Sequence, residues 1–187
     1  PPGVLNIPPF PDDPLFWQYG RSFVQLSQIN VPPLHRLGYS GNDVLVCMMD
    51  TGFCKSHEAF QHAPIIAEWD FVNNDGDVNP DTWRENHGTS TWSMLGGFKT
   101  GELIGPAYGA SFLLAKTESV EFERPIEEDY WVAGIEWAES LGAEVVSSSL
   151  GYIDWYSFAD MDGETAFTTR AANRAFALGV VVVNAAG

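Results

Sequence analysis

Basic residues are scarce in this chain. Nine Lys and Arg stand against 25 Asp and Glu in 187 residues, a formal net charge of -16. A surface of that sign repels a phosphate backbone, which excludes nucleic acid as a partner. Most of the acidic side chains are expected to be solvated surface. Also lacking is any uninterrupted apolar run of the roughly 18 to 20 residues that a membrane span requires, so a soluble chain with no membrane partner is predicted. The N-terminus does not show the basic, apolar and small-residue succession of a signal peptide, so a leader is expected to have been removed or never to have existed. No internal repeat and no low-complexity linker follows the first residues, which excludes repeat arrays. Cysteine is nearly absent, with Cys47 and Cys54 the two present. Extended chain at about 3.3 Å per residue separates them by about 23 Å, so a disulfide needs a sharp reversal after Gly52. They lack the CxxC spacing of a metal site, and Cys47, inside an apolar run, is expected to act as a small core hydrophobe.

What is present describes a folded domain. Hydrophobic content of 45% and aromatic content of 13% support one sizeable core in a chain of this length. Pro1, Pro2, Pro8, Pro9, Pro11 and Pro14 crowd the first 16 residues, remove backbone donors and predict an extended surface arm. Residues 1–30 are read as a Pro-rich N-terminal arm and 31–187 as the domain. Short helical turns are expected over 23–39. From Asp43 the pattern becomes regular. Val44 to Met49 is a continuous apolar run, as in a strand buried on both faces of a parallel sheet, and 65–71, 111–116, 144–149 and 180–184 are further strand candidates. Helices are predicted over 128–141, with Trp131, Gly134, Ile135, Ala138 and Leu141 near one stripe and Glu127, Glu128 and Asp129 at its N-terminus. A second is predicted over 165–178, with Ala171, Ala175 and Leu178 at helical spacing. Strands alternating with helices imply an α/β fold, a doubly wound, mostly parallel sheet with helices on both faces.

Such a sheet gathers ligands at the carboxyl ends of its strands. Asp50-Thr51-Gly52 ends the Val44 to Met49 strand, and His87-Gly88-Thr89 opens a predicted helix over 89–95 closed by Gly96-Gly97. A carboxylate placed at Asp50 can orient a histidine through Nδ1 and stabilise the imidazolium formed when a hydroxyl loses its proton; His87 is the candidate base. Each tripeptide alone is weak. Asp-Thr-Gly also marks aspartic proteases, but these are all-β dimers, and the helical periodicities argue against them. Gly88-Thr89-Ser90 offers a serine on the histidine's own helix, one turn away, which is the wrong place for a nucleophile.

Taken in order, Asp50-Thr51-Gly52, His87-Gly88-Thr89, Gly134-Ile135-Glu136-Trp137-Ala138, Val146-Ser147-Ser148-Ser149-Leu150-Gly151 and Gly179 to Gly187 resemble the subtilisin-like serine proteases (subtilases, peptidase family S8). The resemblance runs from about Leu34 to the last residue and corresponds to the N-terminal portion of the catalytic domain, so that residues 31–187 would be a partial, C-terminally incomplete one. It implies a catalytic pair, Asp50 and His87, and a substrate cleft in which Ser149, Leu150 and Gly151 pair with an extended peptide as an added strand. Ala185, Ala186 and Gly187 would wall the pocket for the residue before the scissile bond, with 116–119 opposite. The family's nucleophilic serine, in a Gly-Thr-Ser-Met-Ala-like segment, and its oxyanion asparagine are not in this sequence. The implied activity is serine endopeptidase chemistry of a parent protein, with no meaningful peptidase activity in these 187 residues alone; the alternative is a non-catalytic, subtilase-like peptide-binding module. The implied partners are an extended polypeptide substrate and a complementary C-terminal segment or propeptide. The implied location is extracellular or periplasmic.

The resemblance implies no cofactor for the chemistry and allows structural calcium. Two oxygen-rich loops, Asp75, Asp77, Asn79 and Asp81, and Asp160, Asp162 and Glu164, are calcium candidates. The first departs from an EF-hand, with Pro80 where glycine is needed and Asn86 in place of the bidentate glutamate. The alternative is a pair of solvated acidic turns, and the metal ligands stay unassigned.

Overall fold

A computed structural model of the chain describes residues 18–186. The Pro-rich arm proper, residues 1–16, and Gly187 lie outside the described residues.

Five strands form one parallel sheet: β1 (Leu45–Asp50), β2 (Ile65–Asp70), β5 (Ser111–Lys116), β6 (Val145–Ser148) and β7 (Val181–Asn184), in the order β2-β5-β1-β6-β7. β1 lies at the centre because its six residues include five buried ones, and an apolar run without alternation can only be satisfied by cover on both faces. Val46 and Met48 pack on one side with Phe53, Phe60, Trp92, Phe112 and Leu114. Cys47 and Met49 pack on the other with Leu113, Ala115, Trp131, Ile135 and Val146. Both cysteines are free. Burial in this core pushes the Cys47 thiol up from its ordinary range, which leaves it an inert hydrophobe.

The helices divide between the faces, the doubly wound arrangement expected of this pattern. α3 (His87–Gly96) covers one side with Trp92, stacked on Phe60 at 3.6 Å between ring centroids. α4 (Ile126–Ser140) and α5 (Phe167–Ala177) cover the other. Trp131, Gly134, Ile135 and Ala138 of α4 are buried as their stripe predicts, whereas Leu141 follows the helix and is exposed. Ala175 of α5 is buried, but Leu178, past its end, is exposed.

Two short helices, α1 (Phe23–Gln28) and α2 (Val31–Arg36), precede the sheet. Phe23, Leu26 and Val31 make a third cluster with Tyr19 and Ile104. Ile104 belongs to an antiparallel pair, β3 (Phe98–Lys99) and β4 (Leu103–Ile104), that the sequence pattern did not suggest. The Ser22 hydroxyl bridges both backbone groups of Ile104, with contacts of 3.0 Å to each. Residues 18–28 are thus built into the body of the domain.

Candidate active site

Alternation along β1 decides where Asp50 points. It shares a face with Val46 and Met48, so its carboxylate lies under α3 at the carboxyl end of the central strand. The side chain is buried and all its visible partners are donors. Oδ1 accepts from the Thr51 amide at 2.7 Å, and Oδ2 lies 3.0 Å from the Thr91 hydroxyl, one turn along α3 from His87.

His87, the first residue of α3, places Nδ1 2.7 Å from Asp50 Oδ1. A carboxylate only accepts, so Nδ1 carries the proton and Nε2 is left as the basic nitrogen. Half of the His87 side chain is exposed against 1% for Asp50, so the imidazole reaches the cleft while the carboxylate stays dry. The approach needs glycine next to the histidine. A Cβ on Gly88 would lie 2.4 Å from the Gly52 carbonyl and 2.9 Å from Asp50 Cβ. Ser90, the serine set aside on sequence grounds, directs its hydroxyl to the Asn86 carbonyl at 3.2 Å.

Two clefts open on the described residues, the first of them beside His87. One, of about 480 Å³, is lined by Thr51, His87 and residues 118–123. The other, of about 490 Å³, is lined among others by Ser149, Leu150, Gly151, Tyr152, Ala185 and Ala186. The structure therefore brings the two predicted cleft segments together, and the Asn184 amide ties them by donating to the Leu150 carbonyl at 3.0 Å. Ser148, beside them on β6, accepts from Trp131 Nε1 at 2.9 Å, which is a core contact.

The wall of the first cleft is acidic in an unusual way. Burial pushes the Glu118 carboxyl up to about 8, helped by the charge of Glu127 and a hydrogen bond to it, and opposed by a hydrogen bond from Tyr152. Glu127 accepts from the Ser119 and Arg124 amides, so this carboxylate of the α4 N-terminus closes the loop 118–124. Glu128 next to it receives Trp155 Nε1 at 2.7 Å and the Tyr156 hydroxyl at 2.9 Å. The two glutamates do more than complement a helix dipole: they fasten both cleft-lining loops to α4.

In the two acidic loops considered for calcium the aspartates cap neighbouring backbone amides, except Asp81, which turns to Lys116. Asp75 Oδ1 accepts from the Asp77 amide, Asp77 Oδ1 from the Asn79 amide, and Asp162 from the amides of Glu164 and Thr165. Among the described residues the trio of carboxylates that converges is Glu118, Glu123 and Glu127, outside both loops.

With this geometry in place, the comparisons with known proteins are decisive. The model of the subtilase family (Peptidase S8) matches residues 41–187. The chain belongs to the subtilase family. It is 29% identical over 178 residues to subtilisin E of Bacillus subtilis (strain 168), covering 94% of this chain and 42% of that protein. It is 26% identical over 145 residues to the halolysin-like extracellular serine protease Nep of Natrialba magadii, covering 75% of this chain and 26% of that one. The crystal structure of MycP1 with its N-terminal propeptide removed superposes with a TM-score of 0.64 at 23% identity, over 87% of this chain and 48% of that one, which shows the shared fold. The chain thus spans less than half the length of these relatives. No helix among the described residues is long and apolar enough to cross a membrane.

Several supports of this subtilase site were missed in the sequence. The Thr51 hydroxyl bonds the Glu85 carbonyl and the Gly88 amide, and the Thr91 hydroxyl faces the Asp50 carboxylate and the Gly88 carbonyl, but hydroxyls at those positions carry no pattern of their own. Lys116 did leave a signal: a lysine closing the apolar run Phe112 to Ala115 must find carboxylates inside the fold.

Proposed function

We propose that this chain carries the charge-relay pair and part of the substrate cleft of a subtilisin-like serine endopeptidase. Asp50 orients and His87 acts as general base, taking the proton of a serine Oγ through Nε2 as that oxygen bonds to the scissile carbonyl carbon. The imidazolium, stabilised by Asp50, then gives the proton to the leaving amine, and the acyl-enzyme is hydrolysed by the same base acting on water. The serine and an oxyanion asparagine belong to sequence beyond these 187 residues, and the chain alone is expected to be inactive. The observation that carries the reading is the 2.7 Å contact between His87 Nδ1 and the buried Asp50 carboxylate.

The substrate is an extended polypeptide, lying along Ser149, Leu150 and Gly151, with Ala185, Ala186 and Gly187 beside the residue before the cut. The chemistry requires no cofactor, and structural calcium is assigned to no residue. A propeptide or a C-terminal segment of the same protein is the expected partner, and the extracellular serine protease among its relatives supports secretion.

The deciding experiment reads the gene beyond Gly187 and assays its product. A Gly-Thr-Ser segment and peptidase activity, blocked by a serine-directed phosphonylating agent and abolished by His87→Ala, are expected, with Asp50→Asn lowering kcat about 10⁴-fold through the wrong tautomer. Peptide binding without cleavage by that product would make the chain a binding module instead.

A further inference from the structure

The strand register sets Asp50 of β1 beside Lys116 of β5, and in-register neighbours of a parallel pair point to the same face. On that face Asp50 meets His87, and Lys116 meets the segment that delivers His87. The Lys116 side chain is 2% exposed, with Nζ 3.3 Å from Asp70 Oδ2, 3.1 Å from Asp81 Oδ2 and 3.2 Å from Glu85 Oε2. Burial works against its charge, but hydrogen bonds to Asp81 and Glu85 and the charge of Asp70 outweigh it and hold the ammonium above the ordinary lysine range.

Glu85 is the node of this network. Its carboxylate also accepts from the Asp81 amide at 2.8 Å. Its carbonyl accepts from the Thr51 hydroxyl at 2.9 Å. Thr51 follows Asp50, and His87 lies two residues after Glu85, so Glu85 connects Lys116 to the backbone on both sides of the relay. We propose that Lys116 is a positioning residue for the relay: by gathering Asp70, Asp81 and Glu85 around one ammonium, it fixes where His87 sits against Asp50. Without that cation three carboxylates face one another. Asp81 is largely exposed and can swing into water, but Glu85 is buried, so relieving its repulsion moves its backbone and the histidine with it. A buried ion cluster that served only stability would leave the geometry of the pair untouched.

This inference rests on the relay reading, and one spectrum separates the two. Proton NMR of the chain at low temperature should show a strongly deshielded Nδ1 proton of His87, assigned by its disappearance in His87→Gln. Lys116→Met is expected to abolish that signal, while Lys116→Arg, whose guanidinium can still bridge carboxylates, keeps it. A Lys116→Met protein that melts earlier yet retains the signal at the same shift would overturn the proposal and leave Lys116 a structural ion. No such signal in the unsubstituted chain would sink the relay reading itself, and the proposal with it. Should Lys116→Met fail to fold by far-UV circular dichroism, Glu85→Gln decides on the same terms, since it keeps an oxygen for the Asp81 amide and removes one charge from the cluster. In an active parent enzyme Lys116→Met should lower kcat about 10- to 100-fold with KM little changed, as a displaced catalytic group does.

Discussion

The Tyr152 hydroxyl donates to Glu118 Oε2 across 3.1 Å and so joins the two clefts, because Tyr152 lines one and Glu118 the other. The contact is buried and couples a phenol to a carboxyl that burial and Glu127 keep protonated near neutrality. Burial and the nearby Glu118 charge in turn push the Tyr152 phenol well above its ordinary range, so the tyrosine stays a donor across the working pH range.

Stability should therefore fall with alkalinity. An acid whose folded-state pKa is raised binds its proton more tightly when folded, so its contribution is complete below the unfolded value, 4.5, and is lost as pH rises through about 8. Melting temperatures recorded across that interval are expected to decline and then level off, and Glu118→Gln, which cannot ionise, should flatten the slope. Equal slopes in both proteins would count against a Glu118 carboxyl that burial and Glu127 keep protonated.

Thr91→Val keeps the shape of the side chain and removes the hydroxyl facing Asp50 Oδ2. Loss of a hydrogen bond to a charged, buried acceptor should cost about 1.5–3 kcal/mol in urea unfolding. A change within experimental error would mean that the hydroxyl serves the Gly88 carbonyl, also 3.0 Å away, and not the carboxylate.

Gly88→Ala drives a methyl into the Gly52 carbonyl and Asp50 Cβ. The strain should cost about 1–3 kcal/mol, and the deshielded His87 proton should vanish even where the fold persists. Gly142→Ala is the contrast: its methyl would meet nothing within 4 Å, although a positive φ of +85° adds backbone strain, so stability falls while the His87 signal remains.

The fold was legible where burial imposes a period. Val44 to Met49 read as a continuous apolar run because both faces are covered, Ser111 to Lys116 read as a strand candidate around its apolar centre Phe112 to Ala115, and the α4 stripe read as a helix because one face meets the sheet. The pairing of Phe98 with Ile104 was not legible, since strands of two residues are too short to show alternation. The same division holds at the site. Asp50 and His87 could be placed from their positions on a strand end and a helix start, whereas Tyr152 and Glu118 are 34 residues apart in sequence and meet only through the packing of α4. The sequence left open whether Asp75 and Asp77 cap neighbouring amides, because a carboxylate capping its own backbone and one awaiting a cation have the same composition.

The outermost strand carries one more consequence. Among the described residues β7 pairs with β6 alone, and Val181 and Val183 on it are 50% and 54% exposed. An uncovered edge of β-branched residues is a template for another chain's backbone. When this polypeptide is handled by itself at high concentration, self-association through strand addition at β7, more than unfolding, should set its solubility, and a lysine at Val183 should relieve it.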